Sequence, residues 1–245
     1  DGEGKYAGKV TLITPSASAI KLDVDLDSTP FCYKSAGANT APLDIDATEL
    51  VLDGATGTSY KEANLTLSSN VKTLTVAANN TIDALTVKND KLKSLTAVNV
   101  LGTVTGAIDA TNLPCNVTAK GSGSIGGATT TKGNINISEK ATWAGALTTT
   151  GGDITIDVAY DADATASFAI EASGNVSITS TGKKLTIAEA ITGKDVTIAK
   201  KVEAGVASSK KVTATQDFSI SDDSHVLGDA DVKRNATINV NTTFN

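Results

Sequence analysis

The chain keeps repeating one short word, an apolar residue, a small polar residue and a second apolar or small residue. Four copies stand close together as Leu65-Thr66-Leu67, Leu74-Thr75-Val76, Leu85-Thr86-Val87 and Leu95-Thr96-Ala97, with first residues 9, 11 and 10 positions apart. Further along come Val117-Thr118-Ala119, Ile135-Asn136-Ile137, Ile154-Thr155-Ile156, Val176-Ser177-Ile178, Leu185-Thr186-Ile187, Val196-Thr197-Ile198, Val212-Thr213-Ala214 and Phe218-Ser219-Ile220. Apolar residues at i and i+2 mark a strand with one buried side, so the middle residue faces the other way. Turn-forming clusters such as Ser68-Ser69-Asn70, Lys88-Asn89-Asp90 and Thr181-Gly182-Lys183 separate the copies. No amphipathic run suggests a helix.

Short strands at regular intervals admit a sandwich, a barrel or a solenoid. The word recurs at 154, 176, 196 and 218, with Ile238 following, so the longer period is 20 to 22 residues. That period predicts an all-β, β-solenoid-like fold of about 20 residues per coil, with two or three short strands in each. Composition agrees: aromatics are 4% and Met is absent, so small side chains must fill the core, as the narrow interior of a solenoid requires. The alternative is an antiparallel β-sandwich, which more often has an aromatic cluster at its centre.

Three regions are expected. Residues 1–47, punctuated by Pro15, Pro30 and Pro42 and carrying the alternating stretch Ala19 to Asp27, read as an N-terminal β subdomain or cap. Residues 48–222 form the repetitive solenoid. Residues 223–245 end in an amphipathic strand with Ile238, Val240 and Phe244 on one face, placed to complete a neighbouring subunit's sheet by strand addition.

The charge of -6 leaves Lys and Arg scattered among acids, which excludes a nucleic-acid surface. No run of about 18 apolar residues provides a transmembrane segment. A chain beginning at Asp1 rather than Met reads as a mature secreted product, so an extracellular or cell-surface location is expected. Catalytic parts are few. His225 is the one histidine and lies in the polar stretch Ser221-Asp222-Asp223-Ser224, which reads as an exposed turn; no catalytic residue is assigned. Asp157, Asp161 and Asp163 are the best candidate cluster, offering hard oxygen ligands that suit Ca²⁺. Asp23 with Asp25 and Asp229 with Asp231 are weaker pairs for sugar hydrolysis. Cys32 and Cys115 could pair in an oxidising compartment, stay as buried thiols, or link separate chains. Asn64, Asn79, Asn116, Asn136, Asn175, Asn235 and Asn241 each begin an N-x-[ST] acceptor for a glycan. Three of them, Asn64, Asn116 and Asn175, directly precede a copy of the repeated word.

Over residues 48–222 the triplet region resembles the β-solenoid and related β-rich subunits of microbial, including archaeal, cell-surface sheaths, S-layers and extracellular tubes or filaments. The resemblance is one of architecture and carries over no individual residue. It implies a non-enzymatic, homopolymeric subunit that assembles through strand edges and ends, with Ca²⁺, disulfides or glycans consolidating the contacts. A secreted adhesin or ligand-binding β-helix and a polysaccharide-active β-helix enzyme are the competing readings.

Overall fold

The computed structural model describes residues 10–14, 20–21, 31–35, 43–45, 49–53, 56–57, 59–62, 65–67, 71–87, 92–205, 210–239 and 243–244, with side chains from residue 49 onward except at 65–67 and 243–244. Among these residues the chain is all-β, with 33 short strands in five sheets and no α-helix. It is a β-solenoid with coils of roughly 21 residues each. Every described strand pair is parallel, for example Ile154–Val158 on Ile135–Glu139 and Val176–Ser180 on Ile154–Val158. The antiparallel sandwich is therefore excluded. Parallel neighbours cannot be joined by a tight hairpin, so the chain travels round a whole coil before lying beside itself. The close spacing of the first triplets is the step from one face of a coil to another.

Each complete coil has three faces. The first is a 12-stranded sheet running from Val10–Thr14 to Ala236–Ile238. The second is a ladder from Ser59–Tyr60 to Thr142–Trp143, followed by a separate ladder from Ala164–Ala166 to Thr243–Phe244. The third begins with Ile20–Lys21, Leu43–Ile45 and Leu65–Leu67 and continues as an 8-stranded sheet from Leu85–Thr86 to Ala230–Val232.

On the first face Leu50, Leu74, Val98, Val117, Ile135, Ile154, Val176, Val196 and Phe218 form one inward column. Leu52, Val76, Val100, Ala119, Ile137, Ile156, Ile178, Ile198 and Ile220 form a second, and nearly all members of both are fully buried. Burying one such side chain is worth about 1.5–3 kcal/mol, so the columns supply the main driving force and fix the register. Between them Thr75, Asn99, Thr118, Asn136, Thr155, Ser177, Thr197, Ser219 and Thr237 form the outward column. Parallel sheets are usually covered on both sides. Here the outer side keeps its own polar groups, which is why the middle letter of the word is Thr, Ser or Asn.

The corner before the first face is closed by side chains as well as backbone. The amide of Asn134 donates to Asn116 Oδ1 at 2.8 Å, that of Asp153 to Asn134 Oδ1 at 2.9 Å, and that of Asn175 to Asp153 Oδ1 at 2.6 Å. Asp217 N donates to Asp195 Oδ1 at 3.0 Å, and Asn235 Nδ2 to Asp217 Oδ1 at 2.9 Å. Inside the same corner the buried Thr131 hydroxyl donates to Cys115 O at 2.5 Å, and Thr149 to Gly133 O at 2.6 Å. Gly133 is required there, because a Cβ would lie 2.5 Å from the Cys115 carbonyl carbon.

The pairing crosses both expected domain boundaries. Val10–Thr14 pairs with Phe31–Ser35, which pairs with Glu49–Leu52, so residues before 47 supply rungs of the same sheet rather than a separate cap. At the other end Ala236–Ile238 pairs with Phe218–Ser221, and Thr243–Phe244 with His225–Val226, all of the same chain. The terminal strands thus complete their own solenoid. Among the described residues no helix is long and apolar enough to cross a membrane.

Candidate functional site

The second face is interrupted. Its first ladder ends at Thr142–Trp143, and the next coil rejoins that side only at Ala164–Ala166, which pairs upward with Leu185–Ile187. The link runs through Ala159, Tyr160, Asp161, Ala162 and Asp163; Ala159 N still donates to Glu139 O at 2.6 Å and Tyr160 O accepts from Lys183 N at 2.9 Å. A cleft of about 410 Å³ lies at this seam, with Lys140, Trp143, Tyr160, Asp161, Asp163 and Leu185 among its walls.

Trp143 occupies the inward column of the first ladder, above Tyr60, Ile82, Val104 and Ile125, and is 8% exposed. Its indole Nε1 is one of two described buried side-chain polar atoms without a hydrogen-bond partner; the other is Thr129 Oγ1. Tyr160 is held in place by its hydroxyl, which donates to Ala141 O at 2.6 Å. Burial pushes this phenol up to about 12, so it stays protonated at neutral pH. Lys140 Nζ and Asp161 Oδ2 form an exposed ion pair at 2.5 Å, and Asp163 Oδ1 accepts the Lys184 amide at 3.1 Å.

The three candidate Ca²⁺ ligands are therefore divided. Asp157 is exposed on the first face, in register with Ser138 and Thr179, whereas Asp161 and Asp163 lie past the corner at the seam. Among the described residues no three His, Cys, Asp or Glu side chains form a group that could hold a metal ion. Closeness in sequence did not survive the turn between two faces, and the three carboxylates are not brought together.

Cys115 is a buried free thiol, pushed up to about 12 by burial. Cys32 shares a register position with Val51, Thr75, Asn99 and Thr118. Four strand spacings, about 19 Å, separate it from the coil that follows Cys115. A disulfide tolerates Cα separations only to about 7 Å, so this register excludes a bridge within one chain.

His225 lies in a strand, half-buried and opposite Glu203, rather than in the exposed turn expected. Asp229 and Asp231 are exposed, and Asp231 faces Lys211 at 3.6 Å; Asp23 and Asp25 lie outside the described residues. Of the glycan acceptors, Asn64 and Asn241 are also outside them. Asn79 is exposed in a left-handed turn, Asn116, Asn175 and Asn235 are exposed, and Asn136 is half-buried. Asn116 and Asn235 belong to the corner ladder, and Asn235 uses its Nδ2 to reach Asp217. Among the assembly candidates Ile238 is 50% exposed, Val240 lies outside the described residues, and only the backbone of Phe244 is described.

The corner ladder and the seam were not anticipated. The ladder had a signal, an Asn or Asp written before the word in coil after coil, at Asn116, Asn134, Asp153, Asn175, Asp195, Asp217 and Asn235. The seam had none beyond the pairing of the single Trp with a nearby loop Tyr.

No protein-family model matches the chain, and neither does any curated protein or solved structure.

Proposed function

We propose that the chain is a non-enzymatic structural subunit that assembles with copies of itself, end to end, into an extracellular filament, tube or surface layer. The observation that carries this reading is Ile238. It continues the inward column of Ile198 and Ile220, yet half of it is exposed, the one large hydrophobic side chain so placed among the described residues. A core column that ends in an exposed isoleucine is a coil awaiting another coil.

The two outer strands of the first face, Val10–Thr14 and Ala236–Ile238, support the same reading. Asn235 O accepts from Phe218 N and Asn239 N donates to Ile220 O, so alternation turns the amide and carbonyl of Ala236 and Ile238 toward the outer edge. Monomeric proteins ordinarily cover or charge such an edge. Pairing one end strand with the opposite end of another copy is a heterologous contact, which propagates as an open filament. This replaces strand exchange, since the terminal strands are already used within the chain.

The test is electron microscopy with light scattering of the purified protein and of Ile238→Lys. The variant is expected to remain folded and monomeric where the parent forms polymers. Polymers of unchanged axial repeat from the variant would sink the end-to-end joint.

A further inference from the structure

From the seam we infer that the cleft between Trp143 and Tyr160 is a binding site for a single pyranose sugar. The inference does not rest on the assembly reading.

A pyranose ring has two chemistries: a face of C–H groups that packs on aromatic and aliphatic surface, and a rim of hydroxyls that both donate and accept. The seam offers both. Trp143, the only tryptophan in the chain, and Leu185 give apolar wall, and Tyr160 adds a second ring immobilised by its bond to Ala141 O. Aromatic rings combine a large apolar area with defined geometry. Around them stand Asp161 and Asp163 as acceptors and Lys140 as donor. Asp163 uses one oxygen on the Lys184 amide, and the second remains to accept from a hydroxyl.

Charge and size narrow the ligand further. Lys140 and Asp161 already neutralise each other, which leaves the single carboxylate of Asp163 on the rim and favours a neutral, polyhydroxylated guest over an anion. A volume of about 410 Å³ is at the small end of ligand pockets, which run from about 300 to 1,000 Å³. That fits one ring or a chain end rather than a long segment of polysaccharide.

Trp143 is also its own reporter, because its emission comes from this cleft alone. The experiment titrates the full chain with the methyl α- and β-pyranosides of glucose, mannose, galactose and N-acetylglucosamine, up to ~100 mM, the range of a site with few hydrogen bonds. At least one glycoside is expected to change Trp143 emission saturably. In the Asp161→Asn, Asp163→Asn double variant, whose changes are exposed and leave the core intact, the same glycoside should bind about tenfold more weakly. Responses that are linear and equal for every glycoside, or a saturable response unaltered in the double variant, would overturn the proposal. So would a change that follows protein concentration instead of sugar, which would place a neighbouring chain in the cleft. Running Ile238→Lys in parallel separates this result from assembly: loss of polymers with retained sugar response supports both readings, and polymers retained with no sugar response defeat both.

Discussion

The coils below Val100 and those above Val117 keep the same register but are built differently. Leu50, Leu74 and Val98 stand 24 residues apart, whereas Val117, Ile135 and Ile154 follow at 18 and 19. The longer coils fill their interior with large side chains, among them Leu50, Leu52, Tyr60, Leu74, Leu92 and Leu95, all essentially inaccessible. The shorter ones use mainly Val, Ile and Ala, with Trp143 and Leu147 as the large exceptions, bury Thr129, Thr131 and Thr149, and hold the corner with Asn116, Asn134 and Asp153. In the longer coils the corresponding corner column holds Glu49, Thr73 and Ala97. One shape is thus reached by volume in one region and by hydrogen-bonded tightness in the other, so the two should fail in different ways.

The largest effect is expected where volume does the holding. Leu74→Ala should lower stability by about 2–5 kcal/mol in urea unfolding, while Ile137→Val in a short coil should cost only about 0.5–1.5 kcal/mol. Comparable losses for the two would remove the distinction. Next comes tightness: Gly133→Ala forces a methyl against the Cys115 carbonyl and should cost about 1–3 kcal/mol. A neutral outcome would mean that the short coils have slack. Smaller again is the corner ladder. Asn134→Ala removes the acceptor of the Asp153 amide, at about 0.5–1.5 kcal/mol, and hydrogen exchange should quicken at Asp153. Asn134→Asp keeps the oxygen and should leave that exchange slow.

The smallest effect lies at the upper end. Two hydrogen bonds from Arg234, at 2.8 and 2.5 Å, hold the Asp217 carboxyl down to about 2, helped by Asn235. A carboxylate depressed in the folded state adds stability above its unfolded pKa, and that addition is lost as pH falls through the folded value. The window here is from about pH 4 down to about 2. A carbon-detected NMR titration should place the Asp217 midpoint near the lower limit, and Arg234→Gln should return it toward the ordinary aspartate range. Because both groups are exposed, global stability should hardly respond.

How much of this could be read from sequence follows from which contacts are local. Alternation within a strand is local, so Ile154-Thr155-Ile156 announced its buried and solvent sides, and the recurring period announced the solenoid. Coil length is less local. Leu95-Thr96-Ala97 has the form of a strand word, but the strand is Ala97–Val100 and its inward residues are Val98 and Val100. Stacking is not local at all. Asn116 and Asn175 stood out as glycan acceptors because the next two residues are visible in the sequence, whereas the Asn134 amide that donates to Asn116 and the Asp153 carboxylate that accepts from the Asn175 amide are each a coil away. A turn between two faces divided Asp157 from Asp161, and stacking hid the seam, which exists only because the Thr142–Trp143 and Ala164–Ala166 ladders fail to meet. The first residues looked like a cap because their prolines and long alternating run mask a register that continues through Phe31–Ser35.

The strand-to-strand hydrogen bonds of all three faces point along one direction, up the stack. A pull along that direction must therefore stretch every bond of a coil at the same time, whereas a sideways pull on a chain end opens them one after another. Such a molecule resists lengthwise tension far better than peeling, and a thread made of these units would be strong along its run and would fray only from its tip.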